Sequence, residues 1–375
     1  MTDRTLSRRS VIALLGGGAV VAAGTGAAAF AATRTPHEAL APWDVPATPD
    51  DPRRFALSHA LLAPNAHNRQ PWLADLRDDG VVRVYRDTTK DLPETDPFGR
   101  QLTISMGCFL ETMRIAAAQA GHGVETDLFP AAPDGPLEHV ATARFVPGAG
   151  APDPLFAAIL DRRSCKEPFT DRSVSDADAA MLAEHAAILT DPATVARIRD
   201  LTWAAWQVEA YTPRTNAESV DLMRIGRREI EAQPDGIDLG GPFLETMSVV
   251  GLLTREAQKD TDSIGFQSGV SMYDEMLHAT PAYAVVTTAG NDRTDWIEAG
   301  RRWVRLNLAT TLGGLSLHPV SQALQEYPEM RDHYETAHRM LAGEGETVQM
   351  LGRLGYGPAV PRTPRWPLDA KVLDA

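Results

Sequence analysis

Apolar residues recur at helical spacing over 53–63 and, more strongly, over "QLTISMGCFLETMRIAAAQA" (101–120), where Gly121 marks the stop. Between them "VVRVYR" (81–86) alternates apolar and polar positions and carries β-branched residues, which predicts a strand. "ATARFVP" (141–147) predicts another, and "GAGAPDP" (148–154) is the best boundary in the chain. The second part opens with a predicted helix. A further helix starts at Ser175, with Asp178 three positions on as a capping partner. Charge-rich helical patterns fill 192–260, interrupted by "QPDGIDLGGPF" (233–243). "AYAVVTTA" (282–289) reads as a buried strand and "WIEAGRRWVRLNLATTLGG" (296–314) as a long amphipathic helix.

Two of these helices match. Offset by 193 positions, Gly107 falls on Gly300, Met113 on Leu306, Ile115 on Leu308, Ala116 on Ala309 and Gly121 on Gly314. Strands flank both at similar distances, so the spacing predicts an internal duplication.

Composition adds bounds. At 375 residues, 43% apolar and 23% charged, the chain has ample core for one large or two ordinary domains. A formal charge of -14 argues against a nucleic-acid partner, whose phosphates demand Lys and Arg. The start is different in kind: "SRRSVIALLGGGAVVAAGTGAAAFA" has paired arginines Arg8 and Arg9, a Gly/Ala-rich apolar stretch and an A-x-A site after Ala31. It resembles a twin-arginine export signal over 1–31, which implies an exported protein, periplasmic or extracellular, folded and cofactor-loaded before transit. Five glycines make it a weak membrane anchor, so no stable membrane partner is expected beyond an uncleaved tether. Residues 32–52 are Pro-rich and aperiodic, a linker or an arm across the surface.

The candidate chemistry begins in "LLAPNAHNRQPW" (61–72), where Asn65, His67, Asn68, Arg69 and Gln70 crowd together. Five such side chains belong on a wet loop or against a ligand with many polar edges. Arg162 and Arg163, taken alone, read as a solvated charge pair. There is no H-E-x-x-H and no Cys cluster, so no metal is expected. Ser268 in "GFQSG" falls one place late for a nucleophile elbow. Cys108 reads as core packing; it and Cys165 are the only cysteines, able to pair in an oxidising compartment.

Four segments carry a resemblance. "LLAPNAHNRQPW", "DRRSCKEPF" (161–169), "LNLATTLGGLSLHPV" (306–320) and "LGRLGYGPAVPRTPRWPL" (351–368) are similar to the signature segments of the nitroreductase-like flavoproteins, in the duplicated single-chain, Acg-type branch. The resemblance implies an α+β nitroreductase-like fold, an internally duplicated pseudo-dimer with halves at 53–150 and 151–375. Residues 206–260 are then a lid or added packing. It implies FMN as cofactor, one per chain, in a monomer. Arg162, Arg163, Ser164 and Arg365 match positions that hold the phosphate. Asn65, Asn68 and Gln70 match those at the flavin ring edge or ribityl chain. Gly314, Leu315 and Ser316 match the turn near the ring. In ordinary members R-R-S precedes the Asn/Gln loop within one chain; here it follows by about a hundred residues, so each half keeps one complementary part of a single site. His67 and His318 depart from the pattern and are candidate proton donors, although packing is the better reading for each. The implied activity is reduction of nitro, quinone or similar acceptors by an unidentified donor, with no catalytic residue assigned; the alternatives are flavin binding or sequestration without turnover, and a cofactor-free interaction protein.

Overall fold

The computed structural model describes residues 34–45, 51–130 and 135–373; the predicted leader at 1–31 lies outside them. The first half runs α1 (His37–Leu40), α2 (Pro52–Ala60), β1 (Trp72–Asp75), β2 (Val81–Asp87), α3 (Arg100–Gln119), β3 (His122–Leu128) and β4 (Leu137–Pro147). Next come α4 (Asp176–Leu182), β5 (Ala187–Leu189), α5 (Pro192–Tyr211), α6 (Pro213–Asp221), β6 (Met223–Ile225) and α7 (Gly226–Ala232). They are followed by β7 (Ile237–Leu239), α8 (Pro242–Val249), α9 (Arg255–Lys259) and α10 (Ile264–His278). The chain closes with β8 (Ala282–Thr288), α11 (Arg293–Leu312), β9 (Ser316–Pro319), α12 (Arg331–Leu341), β10 (Thr347–Gly355) and β11 (Val372–Leu373).

The duplication is written in the sheets. One has the order β11-β1-β2-β4-β3, the other β5-β8-β10-β9. Strands β1, β2, β4 and β3 correspond in turn to β5, β8, β10 and β9, and every one of these pairings is antiparallel. Helices α3 and α11 follow the corresponding strands β2 and β8 and pack on each other. Their contact is reciprocal: a Cβ on Gly107 would lie 2.2 Å from the Ile297 carbonyl oxygen, and one on Gly300 would lie 2.0 Å from that of Ile104. Those two pairs are related by the same 193-residue shift, as an isologous contact about a two-fold axis requires. The stop glycines Gly121 and Gly314 are related likewise, with φ of 77° and 68° and nothing near the absent side chain. They are glycine for backbone conformation.

Differences between the halves set up the site. Between α2 and β1 stands the long loop 61–71, whereas α4 and β5 are joined by 183–186 alone. The turn between β1 and β2 is short, but between β5 and β8 the chain inserts α5 to α10, starting before 206 and ending beyond 260. The last strand, β11, crosses back to pair in parallel with β1, so the C-terminal tail completes the first half's sheet.

Several local expectations change. The second part opens with a 3₁₀ turn, Pro154–Ala158, its N-terminus capped by Asp153. The expected α-helix does not form there. Helix α11 begins three residues before its apolar pattern, because Asp292 and Asp295 make a reciprocal capping box. The arm is not a surface strap: Trp43 is 1% exposed and its indole donates to the Thr363 carbonyl at 2.8 Å. Cys108 and Cys165 are both free, buried thiols. Burial pushes Cys108 up to about 12, as expected for a packing residue.

Candidate functional site

The loop after α2 takes an unusual backbone path. His67, Asn68 and Gln70 have φ of 48°, 51° and 48°, three of the four non-glycine residues with positive φ among the described residues. Such strain persists only where the surroundings over-determine it. Here the side chains do so. Asn65 Oδ1 accepts from the Gln70 amide at 2.7 Å. Gln70 Nε2 donates to the Pro234 carbonyl at 2.7 Å, and its Oε1 accepts from the Trp366 amide at 2.9 Å. Asn68 Nδ2 donates to the carbonyls of Pro234 and Pro364, both at 3.2 Å. Arg69 donates to the Lys90 carbonyl at 2.9 Å. Four of the five polar side chains are thus satisfied within the chain. The amides of Asn68 and Gln70 tie the loop to the C-terminal tail and to the inserted segment.

His67 is the exception. Its Nδ1 is shut off from solvent without a hydrogen-bond partner. Burial, followed by the charges of Lys166 and Arg69, lowers its pKa to about 4, so the ring is neutral at pH 7. Asp238, on β7 of the inserted segment, is likewise crowded by protein, and burial raises the pKa of its carboxyl. Lys166 acts electrostatically on His67, Asp238 and His318. His318 sits with Nδ1 3.3 Å from Arg353 Nη1 and is held neutral by burial and that guanidinium, so it is a packing histidine.

Beside the loop lies a cluster of arginines. The loop's first carbonyls prolong the C-terminal end of α2, where backbone acceptors lack helical partners. Arg365 Nε donates to Leu61 O at 2.8 Å and its Nη1 to Asn68 Oδ1 at 2.7 Å. Arg162 Nη2 donates to Leu62 O at 2.9 Å and its Nη1 to Asn307 Oδ1 at 3.0 Å. Leu62 O also accepts from Arg365 at 3.4 Å, so two buried guanidiniums share one acceptor. Arg163 stacks over Trp43, 4.3 Å from the ring centroid, and donates to Leu160 O and Arg162 O. Among the described residues no carboxylate forms an ion pair with any of the three. Burial, then their mutual repulsion, lowers Arg162 to about 10 and Arg365 to about 9; both stay charged at neutral pH. Buried positive charge without a counter-ion is expensive, and an anion is what relieves it.

The remaining motif residues fall nearby. The Cys165 amide donates to Leu317 O at 3.2 Å, which lays 162–165 along β9. Gly314 closes α11 with a Schellman pattern, its amide bonded to Thr311 O and that of Leu315 to Thr310 O. Leu315 is core, and Ser316 Oγ accepts from the Gly357 amide at 3.2 Å. The Ser164 hydroxyl takes no hydrogen bond among the described residues. The fold therefore gathers loop 65–70, segment 162–163 and Arg365 into one region, with parts from both halves, while turn 314–316 leads into β9, which the R-R-S segment meets at Cys165 and Leu317.

Sequence reasoning missed five contributors: Trp43, Lys166, Asp238, Asn307 and Lys371, whose Nζ donates to Gln70 O at 2.8 Å. Lys166 had a signal, since it follows R-R-S closely; the others are defined only by what they touch. Among the described residues no group of three or more His, Cys, Asp or Glu could hold a metal, and no helix is long and apolar enough to cross a membrane.

No family model matches the chain. Curated relatives do. A Mycobacterium tuberculosis H37Rv protein named "Putative NAD(P)H nitroreductase acg" is 27% identical over 84% of this chain and 93% of its own length. A second from that organism, "Putative NAD(P)H nitroreductase Rv3131", is 26% identical over 85% of this chain and 90% of its own. Among solved structures, one from Anabaena variabilis described as "a putative nitroreductase" covers 85% of this chain and 91% of its own at 12% identity and TM-score 0.47. The FMN-dependent nitroreductase NfnB of Mycobacterium smegmatis, solved with NADPH, covers 57% of this chain and 95% of its own at 17% identity and TM-score 0.35. With its duplicated α+β halves, the chain resembles the Acg-type nitroreductase-like proteins over nearly the full length of these relatives.

Proposed function

We propose that the protein binds one FMN per chain at this composite site and reduces nitro, quinone or similar acceptors as an exported oxidoreductase. The observation that carries the reading is an arginine cluster with no ion-paired carboxylate among the described residues, set beside a strained loop whose one unsatisfied polar side chain is His67. The residues fit the group. Arg163 and Ser164 have hydrogen-bonding capacity left for a phosphate, while Arg162 and Arg365, whose donors are committed to carbonyls and amide oxygens, supply charge from behind. The neutral His67, with its unpartnered Nδ1, and the exposed Lys166 whose charge it feels offer partners to a heterocycle's polar edge. Bound flavin supplies the redox chemistry that no side chain here provides. The chain's own part is binding, orientation and exclusion of water. The relatives' shared name supports the reaction class, and the twin-arginine pattern supports export and a periplasmic or extracellular site of action.

A second reading, binding or sequestration of flavin without turnover, is favoured by one specific feature. The inserted segment is fastened over the loop: Pro234 O accepts from Asn68 and Gln70, and the Gly236 amide donates to Asn68 O at 3.1 Å. A segment held this way restricts approach of a second substrate. The test is an absorption spectrum of the folded protein with FMN titrated into any apo fraction, then anaerobic addition of NADPH. Saturation at one flavin per chain with bleaching supports the enzyme. Saturation without bleaching by this or other donors supports sequestration. Absence of binding by folded protein overturns both.

A further inference from the structure

The pseudo-two-fold axis between α3 and α11 sends each feature of the candidate site to a mate elsewhere. Ser105, whose hydroxyl accepts from the Ala66 amide at 3.0 Å, maps by the 193-residue shift onto Glu298. Asn307, the partner of Arg162, maps back onto Arg114. Cys108, which feels the charge of Arg162, maps onto Arg301. Glu298, Arg114 and Arg301 all line one cleft of about 360 Å³. It occupies the place that the candidate site would take in the other half. No R-R-S segment enters there, and the long loop is replaced by 183–186.

The cleft's charges do not cancel. Glu111 bridges Arg114 at 2.7 Å and Arg305 at 3.0 Å, and Asp153 contacts the same two at 3.6 and 2.7 Å. Those four form a closed neutral square. Among the described residues Arg302 donates only to carbonyls, His185 O at 3.3 Å and Thr287 O at 2.7 Å. Arg301 has Glu298 no nearer than 3.8 Å, and its Nε is shut off from solvent without a partner. Two guanidiniums thus face one distant, half-exposed carboxylate. A surplus of positive charge along a cleft lined by arginines is what draws a small oxyanion.

We propose that this cleft is a second binding site, for a phosphate group, either free or carried on a small monoester, and separate from the flavin site. The assignment stands on the duplication and the cleft's charges, independently of flavin binding.

The test titrates the full chain, as purified, with inorganic phosphate and with glycerol phosphate, by calorimetry at low ionic strength. Arg301→Gln weakens binding by about five-fold or more, the scale of one charge-assisted hydrogen bond at a wet site. Glu298→Gln removes the competing carboxylate and strengthens binding by about two-fold. The opposite signs keep the test decisive if one variant folds poorly. Arg163→Gln, in the candidate flavin site, leaves the affinity unchanged. Tighter binding of glycerol phosphate identifies a monoester as the better ligand, and equal binding identifies the free ion; either supports the site. No binding at millimolar phosphate, affinity indifferent to Arg301 and Glu298, or loss in Arg163→Gln overturns it.

Discussion

His67 is the residue at which packing and chemistry part company. Every other polar side chain of its loop closes a hydrogen bond within the chain, so loop rigidity does not need the imidazole. Asn tolerates the same left-handed backbone, and His67→Asn is expected to lower FMN affinity and shift the bound flavin spectrum while changing the melting temperature little at pH 7.5. The pH dependence has a definite sign. With its folded pKa lowered to about 4, His67 binds fewer protons in the native state than unfolded. Stability is therefore fully present above about 6.5 and falls as pH drops toward 4, by at most ~1.4 kcal/mol per unit. His67→Asn flattens that limb in denaturant titrations; an unchanged slope counts against the buried neutral ring. The arginines divide in the same way. Arg162→Gln leaves buried Asn307 Oδ1 without its donor and Leu62 O with only the 3.4 Å bond from Arg365, at a cost of roughly 1–3 kcal/mol, whereas Arg163→Gln loses the stack on Trp43 and two bonds to carbonyls of its own turn, about 1 kcal/mol, yet impairs FMN binding more than stability.

At the scale of elements, the α3–α11 contact admits no side chain. Gly107→Ala drives a methyl into the Ile297 carbonyl and Gly300→Ala drives one into that of Ile104. Each is expected to destabilise by roughly 1–3 kcal/mol, and by similar amounts because the contacts are mates. Urea unfolding checks this; a neutral result at either position contradicts the close crossing. The inserted helices carry a different liability. Glu209 of α5 is half-buried, accepts from Gln325 Nε2 at 3.0 Å and Ser219 Oγ at 3.5 Å, and has no cation partner among the described residues; desolvation raises its pKa to about 7. Its native state holds a proton that the unfolded chain releases near 4.5, so its contribution is greatest below that pH and is lost as pH rises through 7. Glu209→Gln is expected to raise the melting temperature at pH 8 and leave it unchanged at pH 4.5. Equal shifts at both indicate a packing effect instead.

For the whole molecule, the halves are unequal where it matters. One keeps the long loop, the other keeps the R-R-S segment, and the tail crosses from the second to the first through β11 and Arg365. On the proposed reading this asymmetry predicts a single composite site in a monomer, and light scattering with flavin quantitation is expected to give one FMN per monomer. Two flavins, or binding only by a dimer, contradict that asymmetry. Trp43 and Ala39 join the arm to this region through the carbonyls of Thr363 and Ala39 itself. Loss of the arm is therefore expected to loosen the tail as well as the cluster.

What was legible in the sequence is local. Helical periodicity placed α3 and α11, Ser175 announced α4, and the paired glycines foretold both the duplication and two left-handed stops, since side-chain spacing and positive φ are properties of a few consecutive residues. The four motifs marked candidate residues for the same reason. Only the tertiary structure decided that Asn68 and Gln70 spend their amides on Pro234 and the tail, that Arg162 and Arg365 share the Leu62 carbonyl, and that His67 is left over. Short strands such as β5, β9 and β11 escaped because pairing, not pattern, makes them strands. A buried charge or an unsatisfied ring is defined by which distant segments close around it, and that is settled by how the chain packs.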